Sequence, residues 1–255
     1  MQPKILFIDT ETSPVLGWSY DFYDTNLLDV YRDWSFFCFS WKWLGEKTVH
    51  LDSIKKPRDM WDFVKHPDND YQIVRHLWRL LDECEIAIGH NIRRFDVRKI
   101  YSRFLYFKLP PPSPFKAVDT LAENRRISAD TKNSLEFLVK HRHLGEKMEN
   151  DGWPMHRRYM EGSKKDITNM HEYCKRDTDI LEPLYKNLLP YISGHPNLDN
   201  IPGGTICPRC GSSDLEKRGV SSNKTTQYIR IRCKSCGGWS RSTKNIAGKR
   251  PIVSL

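Results

Sequence analysis

Residues 4–12, Lys-Ile-Leu-Phe-Ile-Asp-Thr-Glu-Thr, constrain this chain more than any other stretch. Four consecutive apolar residues, 5–8, bounded by polar ones, describe a short strand buried on both faces. The strand runs straight into two acids, Asp9 and Glu11. Side chains alternate along a strand, so acids two apart point the same way. Two carboxylates delivered to one point by a buried strand suit a hard cation with oxygen preference, Mg²⁺ first among them. The competing reading is a strand that ends in an ordinary acidic turn, and the remaining acids decide between the two.

Downstream segments alternate between strand and helix patterns. Residues 15–34 are rich in exposed-type aromatics (Trp18, Tyr20, Phe22, Tyr23, Tyr31, Trp34) among acids and read as a loop with local turns. Residues 35–44 and 47–51 read as a hairpin about Gly45-Glu46, which sets antiparallel strands beside the acid-bearing one. Residues 68–83 form a helix capped by Asp68 or Asn69, with Ile73, Leu77, Leu80, Leu81 and Cys84 as its apolar stripe. A second short buried strand, 85–89, leads through His90-Asn91 into a helix that begins near Phe95-Asp96. After the prolines of 110–114, 115–121 reads as a strand and 134–141 as a helix. Residues 144–163 look irregular. They interleave Trp153, His156, Arg157, Arg158 and Tyr159, a mixture suited to gripping a nucleic-acid strand, although Trp153 could equally anchor the loop in the core. The longest helix spans 164–189, where Pro183 should kink or split it.

This order describes an α/β domain, and in such sheets sites form at the carboxyl ends of strands. Asp9 and Glu11 lie at one such end, and Asp96 follows another at the start of a helix. The long helix carries an apolar stripe of Ile167, Met170, Cys174, Leu181, Leu184 and Leu188. Steps of three and four along it pass through Asp177, which puts a carboxylate on a core-facing position. A buried acid needs a compensating charge, from a cation or from a local arginine. Tyr173, one turn earlier, reaches the same place. Asp119 and Asp179 are set aside; Asp179 lies two positions beyond Asp177 and faces elsewhere.

Asp9-Thr-Glu11, His90-Asn91-x-x-x-Phe95-Asp96 and Tyr173-x-x-x-Asp177 resemble the three motifs of the DEDD 3′–5′ exonucleases, which share the ribonuclease-H-like fold. The tyrosine form of the third motif is similar to the DEDDy branch, which includes the proofreading domains of DNA polymerases. Five residues separate His171 from Asp177 where the histidine branch has four, so Tyr173 fits the motif better. The opening stretch and the C-terminal cysteines also resemble phage-encoded exonucleases of this branch. The resemblance covers roughly residues 1–192. It implies a ribonuclease-H-like mixed sheet flanked by helices and two Mg²⁺ or Mn²⁺ ions about 3.5–4 Å apart, which serve the attacking and leaving oxygens. It also implies that Asp9 bridges both ions, that Glu11 and Asp177 hold the catalytic one and Asp96 the other, and that Tyr173 orients the attacking water. Thr10, Thr12, Asn91, Trp153, Arg157 and Arg158 are candidates to touch substrate, although Asn91 and Phe95 read as local structure before chemistry.

The seven cysteines are unevenly distributed. Cys38, Cys84 and Cys174 have apolar or helical contexts and read as buried thiols. Cys207-Pro-Arg-Cys210-Gly and Cys233-Lys-Ser-Cys236-Gly-Gly are paired knuckles with 22 residues between them, the spacing of a structural Zn²⁺ site with four thiolates. Residues 228–232, Tyr-Ile-Arg-Ile-Arg, alternate like a strand of a zinc ribbon. A segment this small cannot bury enough to fold alone, so zinc must supply its stability. The net charge of +9 belongs to this end. Residues 203–255 carry eleven Lys/Arg against two acids, whereas the first 202 carry thirty of each. Such concentration suggests a polyanion contact, with a protein-docking surface as the alternative.

The expected organisation is an exonuclease domain over 1–192, a linker over 193–204, a four-cysteine zinc ribbon over 205–245 and a basic tail over 246–255. The expected partners are nucleic acid, with DNA favoured and RNA open, and a replication or repair protein. No stretch of about 18 apolar residues suggests a membrane span, and the N-terminus lacks the pattern of an export signal. A reducing cytoplasm is the expected location, that of the host cell if the chain is phage-encoded. A non-catalytic nucleic-acid adaptor and a ribonuclease-H-like endonuclease are the alternatives.

Overall fold

The four apolar residues ahead of Asp9 are fully covered, Leu6 and Phe7 at 0% exposure, because β1 (Ile5–Thr12) lies in the middle of a five-stranded sheet. The computed structural model describes residues 3–21, 23, 26–146, 148, 151–198 and 205–248. The chain divides into two compact units, Lys4–Leu184 and the described part of Tyr185–Leu255.

In the first unit β4 (Phe36–Trp43) pairs antiparallel with β1, and β5 (His50–Ser53) pairs antiparallel with β4. On the other side β6 (Ile86–Gly89) runs parallel to β1, and β7 (Lys116–Asp119) parallel to β6. The order is β5-β4-β1-β6-β7, a mixed five-stranded sheet flanked by helices. The helices are α1 (Met60–Lys65), α2 (Tyr71–Glu83), α3 (Asp96–Tyr106), α4 (Thr120–Ile127), α5 (Leu135–His141), α6 (Trp153–Met160) and α7 (Lys164–Leu188). The apolar stripe of α7 packs inward as its spacing predicts: Ile167, Met170, Cys174, Leu181, Leu184 and Leu188 are all buried.

Several segments differ from expectation, each for a local reason. Residues 15–34 contain a small hairpin of β2 (Leu16–Trp18) and β3 (Asp29–Arg32), with Trp18 edge-on to Tyr31 at 6.4 Å. A side chain at Gly17 would collide with the Asp29 carbonyl, so this pairing depends on glycine. Residues 144–163 are not wholly irregular. α6 starts with Pro154 in its first turn, where the missing N–H removes no helical bond, and buries Met155, Tyr159 and Met160. The strand expected over 115–121 stops at Asp119, whose carboxylate accepts from Leu121 N–H and Ala122 N–H and so starts α4. The α1 helix is likewise a capping event, Asp59 accepting from Asp62 N–H at 2.8 Å. The cap position of α2 falls on Asp70 rather than Asp68 or Asn69. The Asp70 side chain makes no cap bond, because it accepts from Phe36 N–H and pairs with Arg103 in the interior. The strand after Gly45-Glu46 is displaced to 50–53. Pro183 does not split α7, which runs through it as one 25-residue helix.

The second unit holds a single 3₁₀ turn (Leu189–Tyr191) and a three-stranded antiparallel sheet of β8 (Leu215–Ser222), β9 (Gln227–Cys233) and β10 (Trp239–Arg241), in the order β10-β9-β8, among its described residues. The expected strand at 228–232 is the body of β9. Residues 199–204 of the expected linker and 249–255 of the expected basic tail lie outside the described residues. No helix among the described residues is long and apolar enough to cross a membrane.

Candidate functional site

The site begins where β1 loses its cover. Burial falls from complete at residues 5–8 to partial at Asp9 and Glu11, while Thr10, facing the opposite way, stays buried. Asp9 stands opposite Ser40 and Glu11 opposite Cys38 on β4, and the register slips between Glu11 and Thr12, which ends regular pairing at the acids.

The helix α7 is docked on this end. Ser40 Oγ donates to the Cys174 carbonyl at 2.7 Å and lies 2.6 Å from Thr178 Oγ1. Cys174 Sγ lies 3.6 Å from the Asp9 carbonyl. Burial, then Cys38, then the negative charges of Asp9 and Glu11 push the Cys174 thiol well above its ordinary range. Asp177, between these two anchor points, is 5% exposed. Its Oδ1 and the Oδ2 of Asp9 are both fully buried oxygens. Tyr173 is half-buried one turn before Asp177. His171 is turned to Tyr159, its Nε2 3.4 Å from the tyrosine hydroxyl.

Asp96 reaches β1 from the first turn of α3. Thr10 Oγ1 donates to Asp96 Oδ1 at 2.7 Å. Burial raises the Asp96 carboxyl to about 7 against the opposing effect of this hydrogen bond. Asp119, set aside from the sequence, organises the turn before α3: its carboxylate accepts from Asn91 N–H and Arg93 N–H as well as from the start of α4. Asn91 has φ 71°, a left-handed conformation that asparagine tolerates, which gives it a structural duty in this turn.

Among the expected substrate contacts, Thr12 is half-buried and Trp153 is exposed at the start of α6. Arg157 pairs along its own helix with Glu161 at 3.3 Å. Arg158 is engaged by Asp151 and Asp166, a tie between α6 and the first turn of α7. The same helix contributes a residue that the sequence did not single out as part of the site. His156 Nε2 lies 3.9 Å from Glu11 Oε2 while its Nδ1 is 3.1 Å from the Gly152 carbonyl. Its only sequence signal was membership of the basic and aromatic run.

Asp9 and Glu11 thus stand at the end of β1, Asp96 is tied to Thr10 between them, and buried Asp177 follows by one turn Cys174, whose thiol meets the Asp9 carbonyl; each offers the oxygen donors that a hard divalent ion takes. They are not drawn to a single point: among the described residues, no three have ligand oxygens all within 4.8 Å of one another. The four cysteines do meet that condition. Cys207 and Cys236 sulfurs are 3.8 Å apart, and those of Cys210 and Cys233 are 3.7 Å apart. Tetrahedral Zn–S bonds of about 2.3 Å place sulfurs about 3.8 Å from one another, so the cluster has the dimensions of a zinc site.

No protein-family model and no curated protein matches the chain. In fold it is similar to the family B DNA polymerase from the hyperthermophilic archaeon Pyrobaculum calidifontis, with TM-score 0.55 and 14% identity over 88% of this chain. The chain spans 31% of that polymerase's length.

Proposed function

We propose that this chain is a metal-dependent 3′–5′ exonuclease of the DEDDy type, acting on nucleic acid with DNA as its expected substrate. The observation that carries the reading is the placing of Asp9 and Glu11 at the end of β1, with Asp96 bonded to Thr10 between them and buried Asp177 one turn after Cys174, whose thiol meets the Asp9 carbonyl. Kinship of fold with part of a DNA polymerase supports a role on nucleic acid. Asp9, Glu11, Asp96 and Asp177 would hold Mg²⁺ or Mn²⁺, which when bound activates water and neutralises charge on the phosphate under attack. Tyr173 orients the nucleophilic water through its hydroxyl. Thr10 holds Asp96, and His156 Nε2 faces Glu11 Oε2 at 3.9 Å. Cys207, Cys210, Cys233 and Cys236 would hold one structural Zn²⁺, and the basic C-terminal unit retains the substrate strand.

The test is cleavage of labelled single and double strands of DNA and RNA, with 3′ ends free or blocked, in Mg²⁺ or Mn²⁺. Mononucleotides released only from free 3′ ends are expected. Internal cuts in a blocked strand would make the chain an endonuclease. Tight binding without any cleavage would make it an adaptor.

A further inference from the structure

The three-stranded sheet of the C-terminal unit has two chemically different faces. Residues directly opposite on paired strands share a face. Trp239 stands opposite Arg232 and Arg241 opposite Arg230, while Tyr228 alternates with Arg230 and Arg232 along β9. One face therefore presents Tyr228, Arg230, Arg232, Trp239 and Arg241. Ile229, Ile231 and the ligand Cys233 take the other face.

Four of the five are arranged as two cation and ring pairs. The Arg241 guanidinium lies 3.8 Å from the Tyr228 ring centre, and that of Arg230 lies 5.7 Å from Trp239. Arg230 Nε also donates to the Arg218 carbonyl on β8 at 3.2 Å, which holds it in place. Trp239 is 45% exposed, and Arg230 and Arg241 are exposed. One acid shares the face: Glu216, opposite Arg232, is met by Arg218 at 2.6 Å. A purely stabilising surface has no use for rings left half in water beside three guanidinium groups. Flat rings interleaved with arginines instead match unpaired bases on a phosphate backbone, bases that a duplex would keep stacked inside.

We propose that this face is a platform for single-stranded nucleic acid: Tyr228 and Trp239 stack bases, and Arg230, Arg232 and Arg241 contact phosphates. The proposal deepens the reading above by naming the form of the substrate, and it rests on that reading only for nucleic acid being the ligand.

The test uses the full, zinc-loaded chain with Asp9→Asn, without added Mg²⁺ or Mn²⁺, so that the probes persist. The probes are a fluorescent oligothymidine, the same strand with abasic positions, and a blunt hairpin duplex. Combined Tyr228→Ala and Trp239→Ala should weaken oligothymidine binding about thirtyfold or more and change abasic-strand binding little. Trp239→Phe should bind like the parent. Changing the three arginines to glutamine should reduce the slope of log K against log salt by about 2, at roughly 0.7 per phosphate contact. An unchanged zinc content shows that the variants have kept the ribbon intact. The proposal is overturned if the aromatic variants bind oligothymidine like the parent, or lose normal and abasic strands equally. It is also overturned if the duplex binds as tightly as the single strand. Binding is read without turnover, so a chain that proved not to be a nuclease would leave this result standing, and failure here would leave 3′-end cleavage standing.

Discussion

Thr10 and Asp96, 86 positions apart, are joined by a buried hydrogen bond in which Thr10 Oγ1 donates to Asp96 Oδ1. The bond ties the central strand to the first turn of α3 and opposes the burial that lifts the Asp96 carboxyl to about 7. The sign of its effect on stability follows from linkage. Between about pH 4 and 7 the unfolded chain ionises this group and the folded chain does not. Without added divalent ions, stability should therefore fall across that window and level off above it, and Asp96→Asn should flatten the profile. Thr10→Val removes a donor to a charged group, so it should cost about 1.5–3 kcal/mol at pH 8 and less at pH 5. Urea unfolding over a pH series checks both; equal losses at the two pH values would show that Thr10 acts only through packing.

Asp177 and Tyr173, four positions apart, share one face of α7, and on the proposed reading their variants should separate metal holding from water positioning. Losing an outer partner of a metal site lowers affinity or activity roughly 10–100-fold, so Asp177→Asn should lower cleavage by more than that. The same change should not lower the melting temperature, because it relieves negative charge in a buried place. Tyr173→Phe should lower kcat while leaving KM near the parent value. Single-turnover release from a 3′-labelled strand, with Mn²⁺ titration alongside, distinguishes the two. A Tyr173→Phe enzyme with unchanged kcat would remove the tyrosine from the mechanism.

What could be read in advance was whatever depends on local periodicity. The apolar run before Asp9 implied a covered strand, and steps of three and four along α7 placed Asp177 inward before any neighbour was known. The cysteine knuckles carry their geometry in their spacing. The rest turns on contacts between distant residues. Nothing near Asp96 in the chain names Thr10 as its donor. His156 meets Glu11 because α6 packs on Phe37, with His156 and Tyr159 both against that ring, a contact that the interleaved basic and aromatic run of 144–163 does not announce. The cap of α2, expected on Asp68 or Asn69, falls on Asp70, whose oxygens are taken by Arg103 and the Phe36 N–H, both distant in the chain.

A second buried charge pair lies away from the acids. Lys42 Nζ and Glu182 Oε2 are 2.7 Å apart, with 7% and 6% of their side chains exposed. Removing one partner strands the other in the interior, so Glu182→Ala should destabilise the fold by about 3–5 kcal/mol. Replacing both, Lys42→Met with Glu182→Leu, should recover most of that loss. Denaturant unfolding of the single and double variants measures the coupling. Additive losses would mean that the pair is held by its surroundings and not by each partner's charge.

The cysteine cluster predicts the sharpest division of labour. The C-terminal unit has a small three-stranded sheet, and only Leu198, Cys207 and Cys233 in its described part beyond residue 192 are buried apolar residues. A sheet so thinly cored would draw its folding free energy from the Zn²⁺ that the four cysteines would hold, about 10–16 kcal/mol for structural zinc sites at pH 7. Cys210→Ser should therefore abolish stoichiometric zinc and collapse protection of the β8, β9 and β10 amides from exchange. The five-stranded sheet, with its own core between β1 and α7, should keep its protection and its melting transition. Cleavage at saturating substrate should persist while the substrate concentration required rises, because the carboxylates belong to the other unit. Zinc analysis, hydrogen exchange and a kcat-against-KM comparison read the three effects separately. Retention of ordered β9 amides in zinc-free protein would show that the ribbon folds without its ion.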